Sequence, residues 1–138
     1  AIGLQRTTNT NQMIDLQIES TKTSPYIMVD STEKIIELKG KSTPENAVQF
    51  YYPVINNIKK LFSAVSGEIH VNMALEYFNT SSSKCIFDML KVLKSLQDDD
   101  REIVINWYYE EDDEDMLETG EDYQDLLGMN FNYIELEY

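Results

Sequence analysis

In a chain of 138 residues, 25 acidic side chains outnumber 11 basic ones, for a formal charge of −14 at pH 7. A chain of this length has room for one hydrophobic core and not comfortably for two, and its charge repels nucleic-acid phosphates and anionic membrane surfaces, so neither is an expected partner. The single cysteine, Cys85, excludes an internal disulfide, and the polar N-terminal stretch makes the cytoplasm the expected compartment, without membrane insertion.

Residues 1–12 are polar, rich in Thr and Asn and without a repeating apolar face, which reads as a flexible tail ahead of a domain spanning 13–138. Residues 13–20 then alternate, with Ile14, Leu16 and Ile18 against Asp15, Gln17 and Glu19, the pattern of a strand with one wet face. Two short apolar runs, 26–29 and 34–39, are joined by the polar turn Asp30-Ser31-Thr32-Glu33 and predict a hairpin. After Gly40, Thr43 is the expected N-cap of a helix with Pro44 at its first position, where a missing N–H costs nothing. The stripe Ala47, Tyr51, Val54, Ile58, Leu61 and Val65 gives that helix a buried face, and Pro53 is expected to kink or split it.

Gly67 introduces a strand over 68–78, where Ile69, Val71, Met73, Leu75 and Tyr77 alternate with His70, Asn72, Ala74 and Glu76. The period then changes. Ile86, Leu90, Leu93 and Leu96 recur every three or four residues and predict a helix over 81–97, entered through Asn79, Thr80, Ser81, Ser82 and Ser83. Ile103, Ile105 and Trp107 mark a buried strand after the acidic turn 98–100. A weaker helix over 116–127, marred by Gly120, and a strand over 131–137 complete the chain. Three strands followed by alternating helices and strands imply a single-domain α/β fold with a mixed β-sheet, whose right-handed crossovers place every strand-to-helix junction at one edge. That edge would gather 42–46, 79–82 and 108–112.

Chemistry is sparse. The run Glu110-Glu111-Asp112-Asp113-Glu114-Asp115 lacks the glycine and the alternating ligands of a calcium loop and reads as a solvated helix start. His70 has no second imidazole or nucleophile near it in sequence and reads as a surface or hydrogen-bonded structural histidine, and Cys85 as a packed or partly exposed thiol. Trp107, Tyr108 and Tyr109 could stack on a base, but aromatics in a strand usually cover a core. No catalytic residue, metal or cofactor is therefore expected. The hydroxyl cluster at 80–83 has two compatible readings: a helix cap, and a phosphorylation switch whose phosphate would meet the free amides and positive dipole end of the helix.

Three motifs in order favour the second reading. Pro44-Glu45-Asn46-Ala47 with Phe50-Tyr51 and Pro53, then Leu75 through Ser83, then Asn106-Trp107-Tyr108-Tyr109, resemble the SiaC-like family of bacterial regulatory phosphoproteins from about Ile14 to the C-terminus. The resemblance implies a fold like that of STAS-type anti-sigma-factor antagonists. It implies phosphorylation of Thr80 by a serine/threonine kinase, reversal by a PP2C-type phosphatase, and activation of a diguanylate cyclase by the unphosphorylated form, hence a role in cyclic-di-GMP signalling. Pro44, Glu45, Asn46, Asn79, Ser81, Ser82, Tyr108 and Tyr109 are the expected partner-binding residues. An antagonist of an anti-sigma factor is the alternative on the same fold, and a small metal-dependent enzyme a lower one.

Overall fold

The computed structural model describes residues 14–136, so the expected tail over 1–12 lies outside the described residues. In chain order the elements are β1 (Leu16–Ile18), β2 (Tyr26–Asp30), β3 (Ile35–Ser42), α1 (Ala47–Phe62), β4 (Gly67–Phe78), α2 (Thr80–Leu96), β5 (Arg101–Glu110), α3 (Glu114–Leu127) and β6 (Asn130–Leu136). The strands form one sheet in the order of the chain. β1, β2 and β3 pair antiparallel, while β3 through β6 pair parallel, as helical crossovers require.

Because each crossover steps to the next strand with the same right hand, all three helices fall on one face of the sheet. Ile69, Val71 and Met73 of β4 turn toward them and are buried, as are Ile103, Ile105 and Trp107 of β5. The opposite face has no helix. It carries a polar ladder in which Asn132 Nδ2 donates to Asn106 Oδ1 (3.1 Å) and Asn106 Nδ2 donates to Asn72 Oδ1 (2.8 Å). Asn106 Nδ2 also reaches His70 Nδ1 at 3.1 Å, which leaves Nε2 as the protonated nitrogen facing Glu68 Oε1 at 2.6 Å. His70 is thus the hydrogen-bonded structural residue the sequence suggested.

Several boundaries differ from the sequence pattern, each for a local reason. Helix α1 is capped by Asn46, whose Oδ1 accepts from Gln49 N at 3.1 Å, so Thr43 is not the cap and Pro44 precedes the helix. Thr43 N instead donates to Thr23 O at 2.7 Å, which holds that residue in the loop. Pro53 neither splits nor ends α1. It sits on the exposed side, and the carbonyl it cannot serve belongs to exposed Gln49, within reach of water. In β4 the alternation breaks before its end: Gly40 pairs with Leu75 but Lys41 pairs with Tyr77, so Glu76 is the extra residue of a β-bulge. Gly40 takes φ +104° at this point, a conformation that L side chains resist. Beyond the bulge, Phe78 turns inward beside buried Ser42 and Tyr77 turns out to 56 % exposure, the reverse of the expected pattern.

Candidate functional site

The hydroxyl cluster lies where β4 runs into α2, and the structure gives its members different tasks. Asn79 is the cap: its Oδ1 accepts from Ser82 N at 2.9 Å and from Ser81 Oγ at 3.3 Å. Its own N–H donates to Ser42 O at 3.0 Å, which ties the helix start to the end of β3. Ser82 is fully buried, so it is not the partner-binding residue the sequence suggested. Ser82 Oγ donates to Ser42 O (3.1 Å), Ser42 Oγ donates to Ser82 Oγ (2.9 Å), and the Tyr51 hydroxyl meets Ser42 Oγ at 2.5 Å. With one proton on each hydroxyl, Tyr51 is left as the donor to Ser42. Burial pushes the Tyr51 phenol up to about 12. Ser83 is engaged as well: its Oγ and the Tyr123 hydroxyl are 2.5 Å apart, and Tyr123 OH lies 3.0 Å from Ser83 O.

Thr80 and Ser81 remain at the surface, and among the described residues the Thr80 hydroxyl has no side-chain partner. The first turn of α2 holds no carboxylate, in contrast to α3, which opens with Glu114 and Asp115 behind its cap Asp113. The positive end of the α2 dipole is thus not neutralised by its own sequence, and Lys84 stands one turn after Thr80 on the same side of the helix. Cys85, close behind, is buried, and desolvation raises its thiol pKa, as expected of a packing residue.

The other expected contact residues do not all converge. Glu45 and Asn46 are exposed and, with Gln49 and Phe50, line an open depression of about 570 Å³ at the start of α1. Pro44 beside them is half-buried. The hydroxyl network joins this end of α1 to the start of α2 through Tyr51, Ser42 and Ser82, so the first two expected segments do meet. In the third, Tyr108 and Tyr109 alternate in β5 and face opposite sides of the sheet: Tyr109 packs with the core, while Tyr108 shares the helix-free face with Asn106. One flat interface cannot use both side chains. Sequence reasoning missed Ser42, Tyr51 and Tyr123 as partners of the serines. The available signal was Tyr51 itself, a phenol on the buried stripe of a helix, which implies a polar partner inside.

The acidic run divides among the end of β5, a turn and the start of α3. Among the described residues no group of three or more His, Cys, Asp or Glu side chains is assembled to hold a metal, and no helix is long and apolar enough to cross a membrane. A one-sided α/β sheet that presents a free hydroxyl at a helix start, beside an open depression, has the make-up of a regulatory binding domain.

Comparison with known proteins gives the class its family. The chain belongs to the SiaC family of regulatory phosphoproteins, whose family model matches residues 18–136. It is 27 % identical over 119 residues to an uncharacterised protein of Pseudomonas aeruginosa (strain UCBPP-PA14), covering 86 % of this chain and 94 % of that one. Its fold matches a chain in the crystal structure of the diguanylate cyclase SiaD in complex with its activator SiaC, from Pseudomonas aeruginosa. The TM-score there is 0.82 at 25 % identity, over 88 % of this chain and all of that chain. Apo-SiaC from the same organism matches with a TM-score of 0.77 at 25 % identity, over 86 % of this chain and 97 % of that one.

Proposed function

We propose that this protein is a cytoplasmic, non-enzymatic activator of a diguanylate cyclase, controlled by phosphorylation of Thr80 by a serine/threonine kinase and dephosphorylation by a PP2C-type phosphatase. The observation that carries the choice of residue is the division of labour at the start of α2: Ser82 and Ser83 are held by internal hydrogen bonds, Ser81 leans on the cap, and Thr80 is exposed without a side-chain partner. Membership of a regulatory phosphoprotein family and the likeness to a structure of SiaC bound to a cyclase support the partner and the kind of control.

The switch works by differential desolvation. A neutral hydroxyl is buried at an interface with one hydrogen bond, whereas a phosphate brings about 1.5 to 2 negative charges and needs several donors. Intramolecularly, the start of α2, whose first turn holds no carboxylate, and Lys84 offer those donors, so the phosphate is stable on the free protein and costly to cover with a partner. A mismatch of about 3 to 4 kcal/mol lowers affinity by roughly 100-fold to 1,000-fold.

The test measures cyclase output against added protein in the two phosphorylation states, with the modified residue mapped by mass spectrometry. Stimulation by the unphosphorylated form alone, with the phosphate on Thr80, is the expected result. Equal stimulation by both forms would remove the switch, a phosphate on Ser81 with Thr80 bare would move the acceptor, and no stimulation by either would turn attention to a sigma-factor pathway.

A further inference from the structure

β4 and β5 pair only as far as Met73 and Trp107. Beyond that register the two parallel strands separate, β4 continuing against β3 and β5 against β6. The bulge at Glu76 bends β4 at the same place. Between the diverging strands lies a cleft of about 270 Å³, and it opens at the edge where β4 leads through Phe78 and Asn79 into Thr80. Leu75, Met116 and Leu136 give it apolar walls, and Glu76, Glu110 and Asp113 bring carboxylates to it.

Lys39 also lines the cleft, but its ammonium is engaged elsewhere and does not neutralise this rim. Lys39 Nζ is 3.4 Å from Glu37 Oε1 and 5.4 Å from the centre of the Tyr26 ring, engaged on β2 and β3. Among the described residues neither Glu76 nor Glu110 takes part in an ion pair. Ala74–Glu76 of β4 and Tyr108–Glu110 of β5 each keep one ladder edge free of a strand partner, so backbone carbonyls and N–H groups alternate along both sides, the Glu110 carbonyl already accepting from Asp113 N at 2.9 Å. At about 270 Å³ the cleft falls below the usual range for small-molecule sites, about 300–1,000 Å³, and suits one long side chain.

We propose that this cleft is the anchor for an arginine side chain of a protein partner. Arginine matches the carboxylate-bearing part of the lining: an aliphatic stem for the apolar walls, five donors for Glu76, Glu110 and the free carbonyls, and a fixed charge that the −14 surface draws in. A lysine has fewer donors and a more strongly hydrated head, so it fits less well. This rests on the reading of the protein as an effector-binding module, and it names the chemistry by which the effector holds on.

The test uses the full chain and its Glu76→Gln/Glu110→Gln variant, with Asp113 left intact because it caps α3. Titration with N-acetyl-arginine amide, followed by amide NMR, should give saturable shifts at Ala74, Glu76, Tyr109 and Glu110 in the wild type that are lost in the variant. N-acetyl-norleucine amide should give none. Absence of saturable shifts up to about 50 mM, or equal shifts with the uncharged analogue, overturns the cleft as an arginine site whatever the effector is. A second arm measures cyclase binding by unphosphorylated protein: the variant should bind at least about 10-fold more weakly and with a flatter salt dependence. Arginine binding combined with equal cyclase affinity for both proteins overturns the cleft as the effector's anchor. Arginine binding with no cyclase binding by the wild type leaves the cleft standing and removes the cyclase reading instead.

Discussion

Asn79 and Thr80 are neighbours with opposite consequences. Asn79 satisfies Ser82 N through its side chain and Ser42 O through its backbone, whereas the Thr80 side chain satisfies nothing internal among the described residues. Removing a capping side chain costs about 0.5–2 kcal/mol, so Asn79→Ala should lower the unfolding free energy by that amount, with a correspondingly lower urea midpoint. Thr80→Ala should stay within about 0.5 kcal/mol of wild type, as surface substitutions do, while abolishing phosphate incorporation by the cognate kinase. Parallel urea melts and a phosphorylation assay separate the two. A large stability loss in Thr80→Ala would show that its hydroxyl is structural and weaken its role as a freely available acceptor. The capping chemistry of 79–83 was readable in the sequence, because Asn, Ser and Thr before an apolar periodic run signal a helix start. Which side chain caps, which is buried and which is free was not, since that depends on Ser42, Tyr51 and Tyr123, each about 30 to 40 residues away in sequence.

Elements were legible where period and breakers agreed, and misread where a tertiary contact overrode them. The order of strands and helices, the parallel crossovers and the burial of Trp107 follow from apolar periodicity and connection length alone. The bulge at Glu76 does not, because two-residue alternation carries no mark of an inserted residue, and its effect is to exchange the faces of Tyr77 and Phe78. Gly120 reads as a flaw in α3, yet it is where α3 receives the indole. A Cβ built there would lie 2.7 Å from Trp107 Cδ1 and Nε1. The ring cannot easily yield: Trp107 is 1 % exposed, donates from Nε1 to Met116 O at 2.9 Å, and is packed by Phe78, Tyr123 and Phe131. Gly120→Ala gains about 1 kcal/mol of helix propensity and meets an overpacking cost of about 1–3 kcal/mol. With strain on a buried hydrogen bond added, the net change should be a loss of about 1–2 kcal/mol. A lower melting temperature with altered Trp107 fluorescence is the expected readout, and a rise in melting temperature would show that the indole has room to move.

Charge acts on the whole domain in two opposed directions. The three ion pairs of Lys and Arg among the described residues are all local, joining residues two or three apart: Glu37 with Lys39, Asp88 with Lys91, and Asp98 with Arg101. Screening them loosens no tertiary contact, and exposed pairs contribute at most about 1 kcal/mol each. The remaining carboxylates repel one another across a compact body with a formal charge of −14, which favours the expanded chain. Raising salt from about 0.01 M to 0.3 M shortens the screening length from about 30 Å to less than 10 Å, so this repulsion fades over distances comparable to the domain itself. The melting temperature of the isolated protein should therefore rise with sodium chloride. Affinity for a basic partner should fall over the same range, because the field that draws the partner in is screened as well. Thermal melts and cyclase titrations in one salt series give both slopes. A melting temperature that falls with salt would mean that attractive pairs, not net repulsion, dominate the folded state. An affinity insensitive to salt would mean that the partner docks on the apolar and amide surface of the helix-free face rather than on the acidic edge.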